Sequence, residues 1–334
     1  MTLAQLRSVL SRLHVALGAI AAWVPAGVAR WTSLLSLGFL LAALLGHGRA
    51  VLALAPDAQG WLWLLLGVGL SLLSLVGSAL LWGLVLQWLG QRPRWQPLVL
   101  AYLSSNVRKY LPGGIWHLAT RLQWLRGQGH PHGGPLLAPG QPLPVSQALM
   151  AVLLDPLVAA VAALALVSCG GWQGGLGGVA LLPLLLLWPR WLTPVLAWIE
   201  RRKAAALGVE PSAPQLPAAC PWAALGSAFV FVLLRFGGFA CCVMALDLQS
   251  SLGWGGWLAG FALAWTAGLV VPGAPAGLGV FEVVLLLRLG EALPEPPLLA
   301  LAISYRLVVS LADVVAVSTA AADQRRKGLA ALRN

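Results

Sequence analysis

Glu282 stands three residues beyond Gly279, deep in a segment whose other members are almost all apolar. A carboxylate in hydrocarbon is expensive to hold, so it implies a partner cation or a wet site. Arg235 lies near the middle of the apolar run Trp222–Leu246 with no other charge nearby on that run. Its partner must come from elsewhere, and Glu282, Asp155 and Asp313 are the choices. Arg306 and Asp313 are seven residues apart, two helical turns on one face, with Ser310 between them. Asn106, Arg108, Lys109, Tyr110, Trp116, His117 and Arg121 crowd around Leu111-Pro112-Gly113-Gly114. If that arm is helical, Asn106 and Lys109 share a face.

These residue types suit the holding of an anion better than the breaking of bonds. The carboxylates Asp57, Asp247, Glu291 and Glu295 form no paired cluster of the kind a metal-dependent transferase displays. His130 and His132 lack a third ligand in register, and Cys169, Cys220, Cys241 and Cys242 show no metal-ligand spacing, so no metal or cofactor is expected. Each polar group also has a structural reading. Arg108 and Lys109 can snorkel to an interface, Glu282 can be one half of a structural ion pair, and the Arg306–Asp313 stripe can be a polar seam between helices.

The elements that position these groups follow from composition. The chain has 334 residues, of which 59% are apolar and 9% charged. Soluble domains carry roughly a quarter charged residues, so lipid must solvate most of this surface. Seventeen Trp residues fit the same setting, because indoles favour the membrane interface. The net charge of +11 sits in short loops between apolar runs: Arg92 and Arg94, Arg121 and Arg126, Arg201 to Lys203, Arg325 to Lys327. That distribution is the positive-inside pattern of a membrane protein, and it argues against a nucleic-acid partner. Residues 1–30 carry Arg7, Arg12 and His14 among leucines and read as a basic amphipathic helix on the inner surface.

Eight apolar segments follow within 31–322: Trp31–Leu54, Trp61–Leu89, Leu98–Leu125, Val145–Val167, Leu176–Ile199, Trp222–Leu246, Trp254–Leu289 and Leu298–Ala322. One arrangement keeps every basic cluster inside. The third segment dips in and turns back at Pro112-Gly113-Gly114, and the seventh does so from the outside at Val271-Pro272-Gly273-Ala274-Pro275-Ala276-Gly277. The expected fold is therefore all-α and polytopic, with about six crossing helices and two re-entrant broken hairpins, closed by a basic cytoplasmic tail at 323–334. The order span, span, hairpin, span occurs twice from opposite sides, the form of an inverted-topology repeat. Leu111-Pro-Gly-Gly-Ile115 beside Ala274-Pro-Ala-Gly-Leu278 is consistent with it. Broken backbone at membrane depth persists only where protein or a water-filled cavity satisfies it, and half-helix N-termini there attract anions.

Asn106-Val-Arg-Lys-Tyr-Leu-Pro-Gly-Gly-Ile-Trp-His-Leu-Ala-Thr-Arg121 resembles the first signature of the lysylphosphatidylglycerol synthase transmembrane (flippase-like) family. Val271-Pro-Gly-Ala-Pro-Ala-Gly-Leu-Gly-Val-Phe-Glu282 resembles its second, and Tyr305-Arg306 followed by Asp313 resembles the polar pattern of its last helix. Ala276-Gly277 stands where the family often has Gly-Gly. The resemblance spans about Trp31 to Ala322. It implies a multi-pass protein of the bacterial cytoplasmic membrane with both termini cytoplasmic. It also implies the stand-alone membrane form, not itself an enzyme, because the chain reaches Asn334 soon after the last span. Carried over by motif position, Asn106, Lys109, Pro112, Gly113, Arg121, Pro272, Gly277, Gly279, Glu282, Tyr305 and Arg306 are the positions that matter.

The expected function is movement of an anionic or isoprenoid-phosphate lipid between leaflets. Asn106, Lys109, Tyr110, Gly113, Arg121, Gly277, Gly279, Glu282, Tyr305 and Arg306 are then the candidate binding residues, supported by Asp155, Arg235 and Asp313. The alternatives are a membrane-embedded transferase acting on lipid-linked substrates, which metal and a sugar-phosphate donor would reveal, and a non-transporting scaffold for lipid- or glycan-synthesis enzymes. Neutralising Glu282 or Arg306 would disable a carrier and spare a scaffold. The chain has no Walker loop, so transport would be passive, ion-coupled or driven by metabolism.

Overall fold

A computed structural model describes residues 57–111, 116–129, 134–170, 177–194, 217, 219–270 and 275–331. The N-terminal segment 1–30, the run Trp31–Leu54, Pro112 and Gly113, His130 and His132, Arg201 to Lys203 and Pro272 lie outside the described residues.

Four helices are long and apolar enough to cross a bilayer: Ala58–Trp88 (α1), Val145–Gly170 including its 3-10 end (α4), Trp222–Ala245 (α5) and Glu295–Arg326 within a helix that continues to Ala331 (α8). Their side chains are arranged for an apolar solvent. On α1 the polar residues Ser71, Ser74 and Ser78 are buried, whereas Leu62, Leu65, Leu66 and Leu73 point outward. Leu65 is 69% exposed and Ser71 0%. Water would reverse that pattern, so the chain is an all-α membrane protein with several spans.

Between α1 and α4 lie two short helices, Trp95–Asn106 (α2) and Trp116–Leu125 (α3), with a 3-10 turn at Val107–Tyr110 following α2. Neither short helix reaches the roughly 20 residues of a bilayer crossing. Their outer ends meet in a two-stranded antiparallel ribbon, Arg92–Pro93 (β1) against Leu137–Ala138 (β2), reinforced by Arg94 N donating to Leu136 O at 2.8 Å. The chain therefore enters and leaves this first hairpin at one level.

The second hairpin is Trp254–Val270 (α6) and Val280–Leu289 (α7), joined through a 3-10 turn at Pro275–Gly277. Its arms are antiparallel, since Gly268 faces Gly277 and Gly260 faces Leu289. A Cβ on Gly277 would fall 2.9 Å from the Gly268 Cα, and φ there is +69°, so only glycine fits this crossing of the arms.

The hairpins open at opposite ends of the bundle. The first has its base beside the C-terminus of α1 and the N-termini of α4 and α5, where Trp88 Nε1 donates to Ala219 O at 2.8 Å and Gln91 approaches Gln147. The second has its base beside the C-terminus of α4, where Gly170 faces Ala259 and Gly255 faces Cys169. Helix α1 runs antiparallel to α5, with the Gly67 and Gly238 backbones in reciprocal contact, as small residues allow between membrane helices. The packing repeats itself. Helix α8 lies on α1 and α2, as α4 lies on α5 and α6, and the two 3-10 turns touch one another.

Two apolar runs take a more particular form in the structure. In the fifth apolar run the described backbone is a 3-10 helix at Gly177–Leu187 followed by a short α-helical stretch over 189–194. Pro183 removes an N–H from any α ladder in the 3-10 stretch, and Pro189 opens the α-helical one, where its missing N–H has no ladder partner to lose. The last helix also continues beyond Ala322 to Ala331, through alanines and long charged residues that favour helix.

Candidate anion-binding site

One cavity of about 360 Å³ is lined by all four long helices and by both hairpins. Of the expected site residues, Asn106, Lys109, Tyr110, Arg121, Gly277, Tyr305 and Arg306 line it, together with Asp155 and Arg235. Asp313 and Glu282 stand behind this wall and hold the lining residues. Gly279 lies at the start of α7, and Gly113 is outside the described residues.

Asp313, 1% exposed on α8, collects three donors from the first hairpin. Asn106 Nδ2 donates at 2.8 Å, Tyr110 Oη at 2.6 Å, and Lys109 Nζ pairs with it at 2.8 Å. Asn106 and Lys109 reach the same carboxylate although α2 ends at Asn106 and the 3-10 turn carries Lys109. Tightening to three residues per turn brings Asn106, Lys109 and Tyr110 to one carboxylate.

Two turns earlier on α8, Arg306 performs the complementary task. Its Nε donates to Glu282 Oε1 at 2.7 Å, Nη1 to Ala276 O at 2.6 Å and Nη2 to Gly277 O at 2.7 Å. Ala276 and Gly277 both have positive φ, so their carbonyls cannot enter a regular helix ladder. The planar guanidinium satisfies both carbonyls and a carboxylate together, a pattern a single ammonium cannot reproduce. Glu282 also accepts from Gly279 N at 2.8 Å, closing the start of α7. Hence α8 holds one hairpin tip by its acid and the other by its base.

The third pair joins Arg121 of α3 to Asp155 of α4 at 3.2 Å, with both side chains nearly fully buried. Arg121 also donates to Ser105 Oγ and stacks 3.5 Å from the Tyr102 ring centroid, while Tyr102 hydrogen-bonds Asp155 and Ser78. Pro156, next to Asp155, lines the cavity and offers no N–H to the Val152 carbonyl one turn earlier. Sequence reasoning missed Ser78, Tyr102 and Ser105. The signal was present in the α1 serine spacing and in Tyr102 and Ser105 preceding Asn106 on one helix.

Arg235 departs from expectation. None of Glu282, Asp155 and Asp313 pairs with it, because each is engaged by a different cation. Its Nη1 donates to Ser74 Oγ at 3.4 Å and its Nε has no partner. The reason is topological. The three acids lie on α4, α7 and α8 and meet cations from α3, from α8 and from the turn after α2, while Arg235 comes from α5.

Tyr305, 4% exposed, is packed with Phe239, Phe261 and Phe281, at ring-centroid distances of 5.5, 5.5 and 5.4 Å. Of this cluster Phe281 and Tyr305 line the cavity, joined there by Phe231 and Trp265, so the cavity has a charged side and an aromatic side and can hold an anion joined to an apolar body. No family model matches the chain, and no curated protein matches it significantly.

Proposed function

We propose that this chain is a carrier of the flippase-like type that moves an anionic lipid head group through the bilayer. In this reading the two hairpins are re-entrant, one from each leaflet, and the two halves form an inverted-topology repeat like those of alternating-access transporters. The resemblance of Asn106–Arg121 and Val271–Glu282 to the flippase-like family signatures points the same way. The basic residues Arg92, Arg94 and Arg126 at the base of the first hairpin support a cytoplasmic side for that base in this reading.

The observation that carries the proposal is the cavity between the hairpin tips. Arg235 lies thirteen residues after Trp222 and ten before Ala245, near the middle of its span. Arg306 is likewise interior to α8. A polar chamber of this size at that depth has no role in packing alone, since a fully apolar bundle would avoid the desolvation of six paired charges.

Reconstitution tests it. In liposomes carrying fluorescent phosphatidylglycerol, the inner-leaflet pool should become accessible to an impermeant quencher when the protein is present. Protection equal to that of protein-free liposomes would defeat the proposal.

A further inference from the structure

Charge bookkeeping in the cavity gives a sharper result than the presence of a chamber. Four cations line it: Lys109, Arg121, Arg235 and Arg306. Three carboxylates neutralise three of them, through Lys109–Asp313, Arg121–Asp155 and Arg306–Glu282. Arg235 is 8% exposed, lines the cavity, and has only the neutral Ser74 hydroxyl as hydrogen-bond partner among the described residues. Of the ten acidic residues in the chain, eight are described, and the five not in these pairs are Asp57, Asp247, Glu291, Glu295 and Asp323, all outside the cavity lining. A buried guanidinium without a counter-charge is destabilising, and an anion entering the cavity would remove that cost.

We infer that Arg235 is the receptor for a singly charged phosphodiester, and that the site selects against head groups bearing an additional ammonium. This rests on the carrier reading above and names its substrate class. The selection follows from the same pairs. An ammonium needs acceptors, and the carboxylates that could serve already accept from Arg306, Lys109 or Arg121. A phosphodiester brings one negative charge, matching Arg235, the one cavity-lining cation without a carboxylate partner among the described residues, and its oxygens can accept from the open Nε of Arg235. The apolar wall beside it, formed by Phe231, Trp265 and Phe281, suits the hydrocarbon part of a lipid rather than a free sugar phosphate.

The test is a binding titration of the full chain in neutral detergent with short-chain phosphatidylglycerol, short-chain phosphatidylethanolamine, chain-free glycerophosphoglycerol and inorganic phosphate. Phosphatidylglycerol should bind at least tenfold more tightly than phosphatidylethanolamine. Arg235→Gln should remove most of that preference, and Arg235→Lys should keep much of it, with both variants checked for native thermal unfolding. If Arg235→Gln does not fold, the Lys variant and the wild-type head-group preference still decide the matter. Equal binding of the two lipids, or a preference that survives in a folded Arg235→Gln, overturns the inference, even if liposome transport is observed. Glycerophosphoglycerol binding as tightly as the lipid would overturn the lipid source. Arg235-dependent binding without any translocation would leave this site standing and remove the carrier reading instead.

Discussion

Asp313→Asn should unfasten the tip of the first hairpin and abolish lipid movement. The substitution keeps the size and one acceptor but removes the charge from Lys109, which is left as a nearly buried ammonium. Breaking a buried pair from one side costs about 3–5 kcal/mol. That loss should be visible in equilibrium unfolding in mixed micelles, and amide exchange should quicken at Val107–Tyr110. The double variant Lys109→Met with Asp313→Asn should recover much of the stability, because no charge is left stranded, Asn106 keeps an acceptor oxygen, and the Tyr110 hydroxyl can turn to accept from the new amide NH2. It should not recover transport if Lys109 contributes to the positive wall. Unchanged stability in Asp313→Asn would mean that the three-donor clasp does not hold the tip.

Arg306→Gln should be at least as damaging, and its rescue should fail. Arg306 ties together Glu282, Ala276 O and Gly277 O, so its loss strands a carboxylate and two carbonyls at once. We expect a destabilisation of about 3–5 kcal/mol from the stranded carboxylate, with the two carbonyls adding to it. Adding Glu282→Gln removes the stranded charge and leaves the carbonyls, so the double variant should remain clearly below wild type. Arg306→Lys should fall between, since an ammonium offers donors without the planar fork. The contrast between a rescuable first hairpin and an unrescuable second one separates this arrangement from two interchangeable ion pairs. Full rescue of Arg306→Gln by Glu282→Gln would show that the carbonyl contacts carry no weight.

Much of this arrangement was legible in the sequence because the membrane narrows the alternatives. Charges at Glu282, Arg306 and Asp313 within apolar runs had to face inward, and the Arg306–Asp313 spacing fixed them on one side of a helix. Pro and Gly clusters marked where the third and seventh runs break. What could not be read was pairing across helices. Glu282 takes Arg306 rather than Arg235, because the α7 start packs against α8, a contact between segments with no shared periodicity. The hydroxyl support from Ser78, Tyr102 and Ser105 was hidden for the same reason, as small polar residues in a membrane helix serve close packing as often as hydrogen bonding. The 3-10 backbone at Gly177–Leu187 could not be read either, because hydropathy reports solvent and not helix type.

Sidedness of the hairpin bases tests the central claim most directly. In a background with Cys169, Cys220, Cys241 and Cys242 replaced, single cysteines at Arg92 and Gln128 flank the first hairpin, and at Ser251 and Glu291 the second; all four positions are exposed. An impermeant maleimide applied to sealed vesicles of each orientation should reach the Arg92 and Gln128 sites from the cytoplasmic face only, and the Ser251 and Glu291 sites from the other face only. Labelling of either pair from opposite faces, or of all four sites from one face, would contradict the account.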